Sequence, residues 1–567
     1  MLEGEIPISL SKLSHLRVLI LYGNDLRGNL DELFGNKSGK GILESLQILD
    51  LAHNQFNGSL PDLTALSALT EVYLGVNNFS GSIPLSIGQL SELQALDLSN
   101  NLLNGVVSES HFIKLHKLKE LDLSFNSLIV FDFVDDWSPT FQLDIMELAG
   151  CSVGPSFPKW IKTQTNFSFL DISRANIADE VPTWLWSVSH SLYDLYLFDN
   201  QITGMIPNLS STSILRIDLS NNSITGPIPL FNDNAQSIHL SQNMFSGLIS
   251  SICNVRRDKL WSLDLSNNQL GVEIPNCWEK MSNLFSLNFA NNRFCGEIPR
   301  SLGFLRSLNV LQLRGNSLSG EFPSTLRRCQ SLNLLDVAGN ELTGDIPSWL
   351  GEMYNIRILN LAKNKLHGSI PVEICNLTRI RILNLSKNNL SGKIPDCFNK
   401  FTSMAQKNSP FRNLGYAFSF QYNADLPNEI LVDLARSQNL AVLDLSNNNL
   451  SGKIPTSTQL QSFNASAYAK NKGLCGPPLA LCPEDSFKPS TTSPGGNMNE
   501  RDGNDLSFMQ EVGISMAFGF IFGFWGVVGT FILKKSWRIA FFNWFDDVGD
   551  WFYVRIAIFV SKLGRRS

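Results

Sequence analysis

The chain lacks the motifs of the common catalytic chemistries. Its 567 residues contain no Gly-rich phosphate loop with a following Lys-Ser/Thr, no HExxH and no GxSxG elbow. The seven histidines are scattered, and no Cys/His set has the spacing of zinc ligands. These absences argue against an enzyme, and they indicate neither a metal nor an organic cofactor.

Charge and cysteine are also sparse. Lys and Arg total 45 against 51 Asp and Glu, so the net charge of -6 gives no basic footprint for nucleic acid. Nine cysteines are too few for a disulfide scaffold, but they suit a secreted repeat protein with a few bridges. An odd total leaves at least one cysteine without an internal partner.

Leucine, by contrast, is abundant and regularly spaced. Residues 308–403 divide into four lines of 24 residues, each of the form LxxLxLxxNxLxGxIP. A period of about 20–29 residues with this spacing is that of the leucine-rich repeat. The pattern predicts an α/β-type solenoid, a leucine-rich-repeat superhelix whose parallel strands line a concave face.

A polar residue follows each predicted strand, where the chain turns inward. A buried turn needs its backbone groups satisfied, and a stack of amides bonding to the neighbouring turn would do this. Seventeen strands are expected, with Cys151 as a substitute and Ala175 as a departure from the pattern. Their ladder positions are Asn24, Asn54, Asn77, Asn101, Asn126, Cys151, Ala175, Asn200, Asn222, Asn243, Asn268, Asn292, Asn316, Asn340, Asn364, Asn388 and Asn448.

The repeats give way to other segments at two places. We predict repeats over 1–395, an island loop over 396–437 that interrupts the leucine phasing, and a last repeat over 438–458. A cap follows over 459–483, closed by a disulfide between Cys475 and Cys482, and then an acidic stalk over 484–511. The first residues already fill repeat positions, so we expect the chain to be N-terminally truncated.

Residues 512–533 form an uncharged stretch of 22 residues followed at once by Lys534 and Lys535. This predicts a single transmembrane helix with the repeats outside and the tail of 534–567 in the cytoplasm. Ser515, Gly519 and Gly523 are spaced by four, which favours close pairing with another helix; the alternative is that Gly is simply common in such helices. Eleven N-x-S/T sequons suggest an extracellular glycoprotein.

Ligand-binding residues are expected at the outward positions of the concave strands. Most of these positions hold plain Asp, Ser or Asn, and the exceptions in consecutive repeats suggest an exposed binding patch. The alternative is that the sequence of this surface has drifted without a function, and that its aromatic side chains are covered by glycan or packed on their neighbours. The candidates are Arg174, Tyr193, Tyr196, Phe198, Arg216, His239 and Trp261. Cys253 and Cys277 take nearly equivalent places in successive repeats and could form a bridge, whereas Cys151, Cys295 and Cys329 are expected to stay thiols.

The chain resembles the plant leucine-rich-repeat receptor-like proteins, which have no kinase domain and include Cf-type and xylanase-perceiving receptors. The motifs are the recurring LxGxIP, LAGCSVGPSFPKWIKTQTNFSFLDIS at 148–173, LSNNNLSGKIPTSTQLQSFNASAYAKNKGLCGPPL at 445–479 and AFGFIFGFWGVVGTFILKKSWR at 517–538. The resemblance implies a plasma-membrane receptor for a microbial or plant peptide or protein. It also implies an adaptor receptor kinase, paired through Gly519 and Gly523, and a co-receptor kinase.

Other functions stay open at this point. A membrane-anchored developmental receptor would share the same architecture. A binding scaffold similar to the cell-wall hydrolase inhibitors would act by binding alone, although those inhibitors are soluble. An inactive truncated product is the third alternative.

Overall fold

The structure is a computed structural model that describes residues 1–13, 15–34, 45–134, 136–188, 191–254, 258–401, 442–456 and 458–483. The predicted stalk, membrane span and tail, including Ser515, Gly519 and Gly523, lie outside the described residues, as does the predicted island from residue 402 onward. Among the described residues, no helix is both long enough and apolar enough to cross a bilayer.

One parallel sheet of seventeen strands runs through the repeats, as the leucine spacing predicts. We call it the concave sheet. Strand Ile382–Asn384 pairs directly with Val442–Asp444, so the sheet continues across the predicted island. The strands are Val18–Ile20, Ile48–Asp50, Glu71–Tyr73, Ala95–Asp97, Glu120–Asp122, Ile145–Glu147, Phe169–Asp171, Asp194–Tyr196, Arg216–Asp218, Ser237–His239, Ser262–Asp264, Ser286–Asn288, Val310–Gln312, Leu334–Asp336, Ile358–Asn360, Ile382–Asn384 and Val442–Asp444.

The middle residue of each strand points into the core, and its two neighbours point away from it. Leu49, Leu359 and Leu383 are such middle residues, and all three are fully buried. Because side chains alternate across a strand, the flanking residues form rows on the opposite face. Each repeat therefore contributes to the core of its neighbours, and its outward residues are free to vary.

The asparagine ladder forms as predicted. Asn364 Nδ2 donates to the carbonyls of Val337, Leu361 and Ala362 at 3.0–3.2 Å, and its Oδ1 accepts from the Leu342 N–H at 3.1 Å. Cys151 substitutes by donating from Sγ to the Leu123 carbonyl at 3.1 Å. The structure adds one member that the repeat pattern does not include: Asn471, in the cap, makes three of the four ladder bonds, to Leu450, Leu445 and Tyr468.

Short strands lie on a second side of the repeats, in three parallel sheets. Gly344 shows why this side recurrently uses glycine, since its φ is +81° and a Cβ would lie 2.8 Å from Glu321 Cγ. The strands are Glu3–Gly4, Asp25–Gly28, Gln55–Gly58, Asn78–Ser82, Leu102–Val107 and Leu128–Phe131; Thr225–Gly226, Met244–Gly247, Gln269–Glu273, Arg293–Glu297, Ser317–Gly320 and Glu341–Leu342; and Ser391–Gly392, Asn449–Lys453 and Gly473–Cys475.

Turns of 3-10 helix return the chain to the next strand. Many start after the proline of the IP pair, as at Pro347, whose φ of -67° precedes Ser348–Glu352. The 3-10 helices are Ile8–Lys12, Leu85–Gln89, Glu109–Phe112, Lys159–Thr163, Ser250–Asn254, Trp278–Lys280, Arg300–Phe304, Ser324–Arg328, Ser348–Glu352, Val372–Asn376, Asp396–Lys400 and Ala465–Tyr468. Three short α-helices are Asp31–Phe34, Leu185–Val188 and Thr458–Ser462.

Three disulfides occur among the described residues. Cys253 pairs with Cys277 and Cys475 with Cys482, with Cα atoms 5.7 and 4.9 Å apart. A third pair, Cys375 with Cys397, was not foreseen. It ties helix Asp396–Lys400 to the preceding repeat, so the repeat extends past the expected boundary at residue 395. Cys151, Cys295 and Cys329 are free thiols.

Candidate functional site

The parallel register aligns the outward residues of the concave sheet in rows. The last residue of each strand gives a row in which Asp97, Asp122, Glu147 and Asp171 are direct neighbours on four consecutive strands. Neighbouring strands in a sheet lie about 4.8 Å apart. We call Asp97, Asp122, Glu147 and Asp171 the acidic row.

A groove of about 640 Å³ lies over the acidic row. It extends across eight strands, from Tyr22, just after the first strand, to Tyr196 and Phe198, in and just after the eighth. Aromatic side chains line it beside the carboxylates, among them Tyr73, Phe125 and Phe169. A concave groove that combines apolar walls with a few charged groups is the usual form of a binding site.

Burial and mutual repulsion raise the pKa values of the acidic row. Burial raises the pKa of Asp122 to about 6, and the Asp97 charge adds to the effect. Burial, followed by the charges of Asp122 and Asp171, raises the pKa of Glu147 to about 8. The pKa of Asp171 rises to about 6, again chiefly through burial. Negative charge is therefore costly along this row of the groove.

The hydrogen bonds of these carboxylates are local. Asp97 and Asp122 accept from the backbone N–H groups of Ser99 and Ser124 at 2.8 Å. Asp171 accepts from both the N–H and the hydroxyl of Ser173. In the part of the chain that the structure describes, no Lys or Arg forms an ion pair with Asp97, Asp122 or Glu147.

The predicted binding patch is only partly exposed. Tyr193 and Trp261 are exposed by 46% and 42%. Tyr196, Phe198 and His239 are buried, at 7% each, so the expectation that they form an exposed patch is wrong. Bulky side chains on adjacent strands cover one another: the rings of Phe169 and Tyr196 lie 5.4 Å apart.

The basic members of the patch are already engaged within the protein. Arg174 Nε donates to Asp199 Oδ2 at 2.8 Å, and its guanidinium lies 5.6 Å from the Phe198 ring centre. Arg216 donates from Nε and Nη2 to the two carboxylate oxygens of Asp194. The patch and the groove overlap at Tyr196 and Phe198, which line the groove wall.

His239 lies between acidic and hydroxyl groups of three neighbouring strands. Its Nε2 is 2.9 Å from Ser262 Oγ, and its Nδ1 is 3.5 Å from Asp218 Oδ2. Burial lowers its pKa, but the hydrogen bond and charge of Asp218 outweigh burial, so the pKa of His239 is raised. Because the His239 side chain is only 7% exposed, this arrangement stabilises the sheet and does not present the side chain to a ligand.

Arg216→Ala tests whether this arginine serves the fold. We expect the free energy of unfolding to fall by about 2 kcal/mol, because the substitution strands the buried Asp194 carboxylate. The matched control is Lys365→Ala, whose partner Glu341 is exposed, and it should cost less than about 0.5 kcal/mol. Chemical denaturation of the purified full chain measures both, and equal small effects would remove the structural role of Arg216.

Sequence reasoning did not identify the acidic row. Each Asp matches the common LDLS or LDIS form of the repeat, so the pattern within one repeat does not mark it as a binding residue. The sequence does contain the signal, because Asp97, Asp122, Glu147 and Asp171 fill the same repeat position in four successive units. The cue is a run of acids at one position, which is visible only when repeats are aligned in register.

Comparison with known proteins agrees with this fold. The Leucine rich repeat family model matches residues 67–128 and 330–390, and a second Leucine Rich Repeat model matches 45–65, 259–281, 283–305, 307–329 and 439–460. The structure is similar to a plant peptide hormone receptor, RGFR1, solved in complex with RGF2, with a TM-score of 0.60 and 29% identity over 83% of this chain and 81% of that one. It is also similar to the HAESA ectodomain of Arabidopsis in complex with an IDA peptide hormone, with a TM-score of 0.59 and 28% identity over 83% of this chain and 89% of that one.

These likenesses and the fold define a leucine-rich-repeat protein of the plant receptor type. The sequence is 38% identical over 547 residues to Receptor-like protein EIX2 of Solanum lycopersicum, covering 81% of this chain and 53% of that protein. The chain belongs to the plant leucine-rich-repeat receptor-like proteins. It spans about half the length of the curated relatives it matches.

Proposed function

We propose that the chain is a cell-surface receptor that binds a microbial or plant peptide or protein on its concave sheet and signals through partner receptor kinases. The observation that carries the proposal is the groove over the acidic row, on the face where receptors of this fold present their outward side chains. Receptor-like relatives and the peptide-bound receptor ectodomains support it.

The rest of the proposal concerns segments outside the described residues. Residues 512–533 would cross the plasma membrane once, with the repeats outside and the C-terminus in the cytoplasm. Ser515, Gly519 and Gly523 would pair with the membrane helix of an adaptor kinase. The resemblance to receptor-like proteins favours a defence role, and a developmental role is the alternative, because similar solved ectodomains bind peptide hormones.

Kinase association is tested with the tagged full chain expressed in plant leaf cells. We expect receptor kinases to co-purify with it, and Gly519→Leu with Gly523→Leu to reduce this at least about fivefold, because leucine keeps the helices apart. The matched control is Gly513→Leu, which lies six residues from Gly519, on a different helix face. Recovered kinase is measured by quantitative mass spectrometry.

The same cells test the topology. External protease should digest the repeats while a C-terminal tag stays intact. Protected repeats would contradict a cell-surface receptor. An exposed chain that binds a ligand but recovers no kinase would favour a binding scaffold instead.

A further inference from the structure

The groove over the acidic row carries a charge pattern that selects among ligands. Its base presents carboxylates from four consecutive strands, and the described residues supply no ion pair to Asp97, Asp122 or Glu147. A partner that brought positive charge to this row would relieve the repulsion among the carboxylates. An anionic partner would add to that repulsion, so the groove favours a cationic ligand over an anionic one.

The walls of the groove favour the same partner. Tyr73 and Phe125 line the groove with the acidic row, and Tyr22, at its first end, is exposed by 56%. Aromatic faces attract Lys and Arg, and they also cover the aliphatic stems of these side chains. Carboxylates and rings together therefore fit side chains that are both long and cationic.

A buried hydroxyl beside the acidic row offers a ligand a further polar contact. Ser124 is 3% exposed and lines the groove, and its Oγ, like that of Ser241 outside the groove, has no partner in hydrogen-bonding geometry among the described residues. At the equivalent position, Ser173 and Ser220 donate to the carboxylates of their own strands at 2.6 Å. A buried polar group left unpaired is costly, and a polar atom of a bound ligand would satisfy it.

The dimensions of the groove set the length of the ligand. It crosses eight strands, and seven strand spacings of about 4.8 Å amount to about 34 Å. An extended chain rises about 3.3 Å per residue, so about ten residues would cover this distance. A short extended segment of this length fits the groove.

We propose that this groove docks an extended cationic segment of a peptide or protein ligand, with Lys or Arg side chains pairing with Asp97, Asp122 and Glu147. The proposal rests on the proposed receptor function and names the chemistry of its ligand. It centres the site on the repeats before Arg216, and the predicted patch meets the groove at Tyr196 and Phe198. The raised pKa values of Asp122 and Glu147 agree with it, since burial and then the charges of neighbouring carboxylates cause them.

The test uses the purified full chain and a fluorescein-labelled decapeptide of alternating Lys and Tyr. Binding is followed by fluorescence anisotropy, with the Nε-acetyl-lysine form of the same peptide as the uncharged control. We expect the lysine peptide to bind at least about tenfold more tightly than the acetylated one, and added salt to weaken it. Its affinity should also rise from pH 5 to pH 8, as the carboxylates of Asp122 and Glu147 lose their protons.

Matched variants locate the site. The double variant Asp122→Asn with Glu147→Gln should lower the affinity for the lysine peptide at least about tenfold, while the affinity for the acetylated peptide stays unchanged. Asp336→Asn removes a buried carboxylate from the same row position outside the groove, and it should leave binding unchanged. Thermal unfolding of each variant shows that the fold is retained.

Three results would overturn the proposal. They are equal affinity for the charged and acetylated peptides, full affinity in the double variant, or equal loss in Asp336→Asn. Because this assay needs neither the membrane topology nor a kinase, peptide binding without kinase recovery would leave the groove assignment intact and remove only the signalling function.

Discussion

Replacing Asn126 by Ala should lower the free energy of unfolding by about 3 kcal/mol, because it removes four hydrogen bonds and leaves the buried Leu103 N–H without its acceptor. Asn126 is fully buried. Its Nδ2 donates to the carbonyls of Leu98, Leu123 and Ser124, and its Oδ1 accepts from the Leu103 N–H at 3.1 Å. Alanine can replace none of these bonds, and the site is closed to water.

Asn104→Ala is the matched control for this prediction. Asn104 is exposed, and its side chain makes no hydrogen bond to another described residue, so its loss should cost less than about 0.5 kcal/mol. Urea denaturation of the full chain gives both values. Equal losses for the two variants would mean that the ladder amides do not determine the stability of the turns. Since Asn126 follows Ser124 and Phe125, which line the groove, the variant should also loosen the groove.

The backbone of the repeats could be predicted from sequence because it depends on local rules. The leucine spacing specifies the strand and its inward face, and the asparagine marks the turn that follows. The fixed period specifies which strand is the neighbour. For this reason the seventeen strands and the ladder were foreseen, including the Cys151 substitute. The sequence pattern does not indicate Asn471, because no LxxLxL strand precedes it. Its role is visible only in the structure, where its Oδ1 accepts from the Leu450 N–H of the last repeat.

The exposure of outward residues could not be predicted in the same way. Whether Tyr196 is covered depends on Phe169, which lies one strand away but 27 residues earlier in the chain. His239 is likewise covered by interactions with Asp218 and Ser262 on the flanking strands. A pattern read within one repeat identifies the outward face, but packing between repeats decides which outward side chains a ligand can reach.

The groove shows how one row of residues can serve both stability and recognition. Aligned carboxylates at about 4.8 Å repel one another, so the free protein is less stable than it would be with neutral side chains there. A cationic ligand removes this cost when it binds, and the stability it restores contributes to its affinity. Substitutions in the acidic row that stabilise the free protein should therefore weaken the binding of its ligand.

Glu147→Gln should raise the thermal midpoint of the full chain at pH 8 by roughly 3–5 °C, because about three pH units of the difference between its folded and unfolded pKa values are expressed at this pH, each worth about 1.4 kcal/mol, and a repeat domain of this size shifts by about 1 °C per kcal/mol. The folded-state pKa of Glu147, about 8, lies above its ordinary value of 4.5. The folded protein therefore binds more protons than the unfolded chain between these values, and stability falls as pH rises through that window. Glutamine removes the cost of ionisation while keeping the shape.

The gain should disappear at pH 4, where Glu147 is protonated in both states. Glu341→Gln is the control, because Glu341 is exposed and the hydrogen bond and charge of Lys365 lower its pKa. It should give no gain at either pH. A Glu147→Gln gain of equal size at pH 4 and pH 8 would assign the effect to packing and not to charge. No gain at pH 8 would mean that Glu147 is not strained by its neighbours, and the charge argument for a cationic ligand would then lose its central residue.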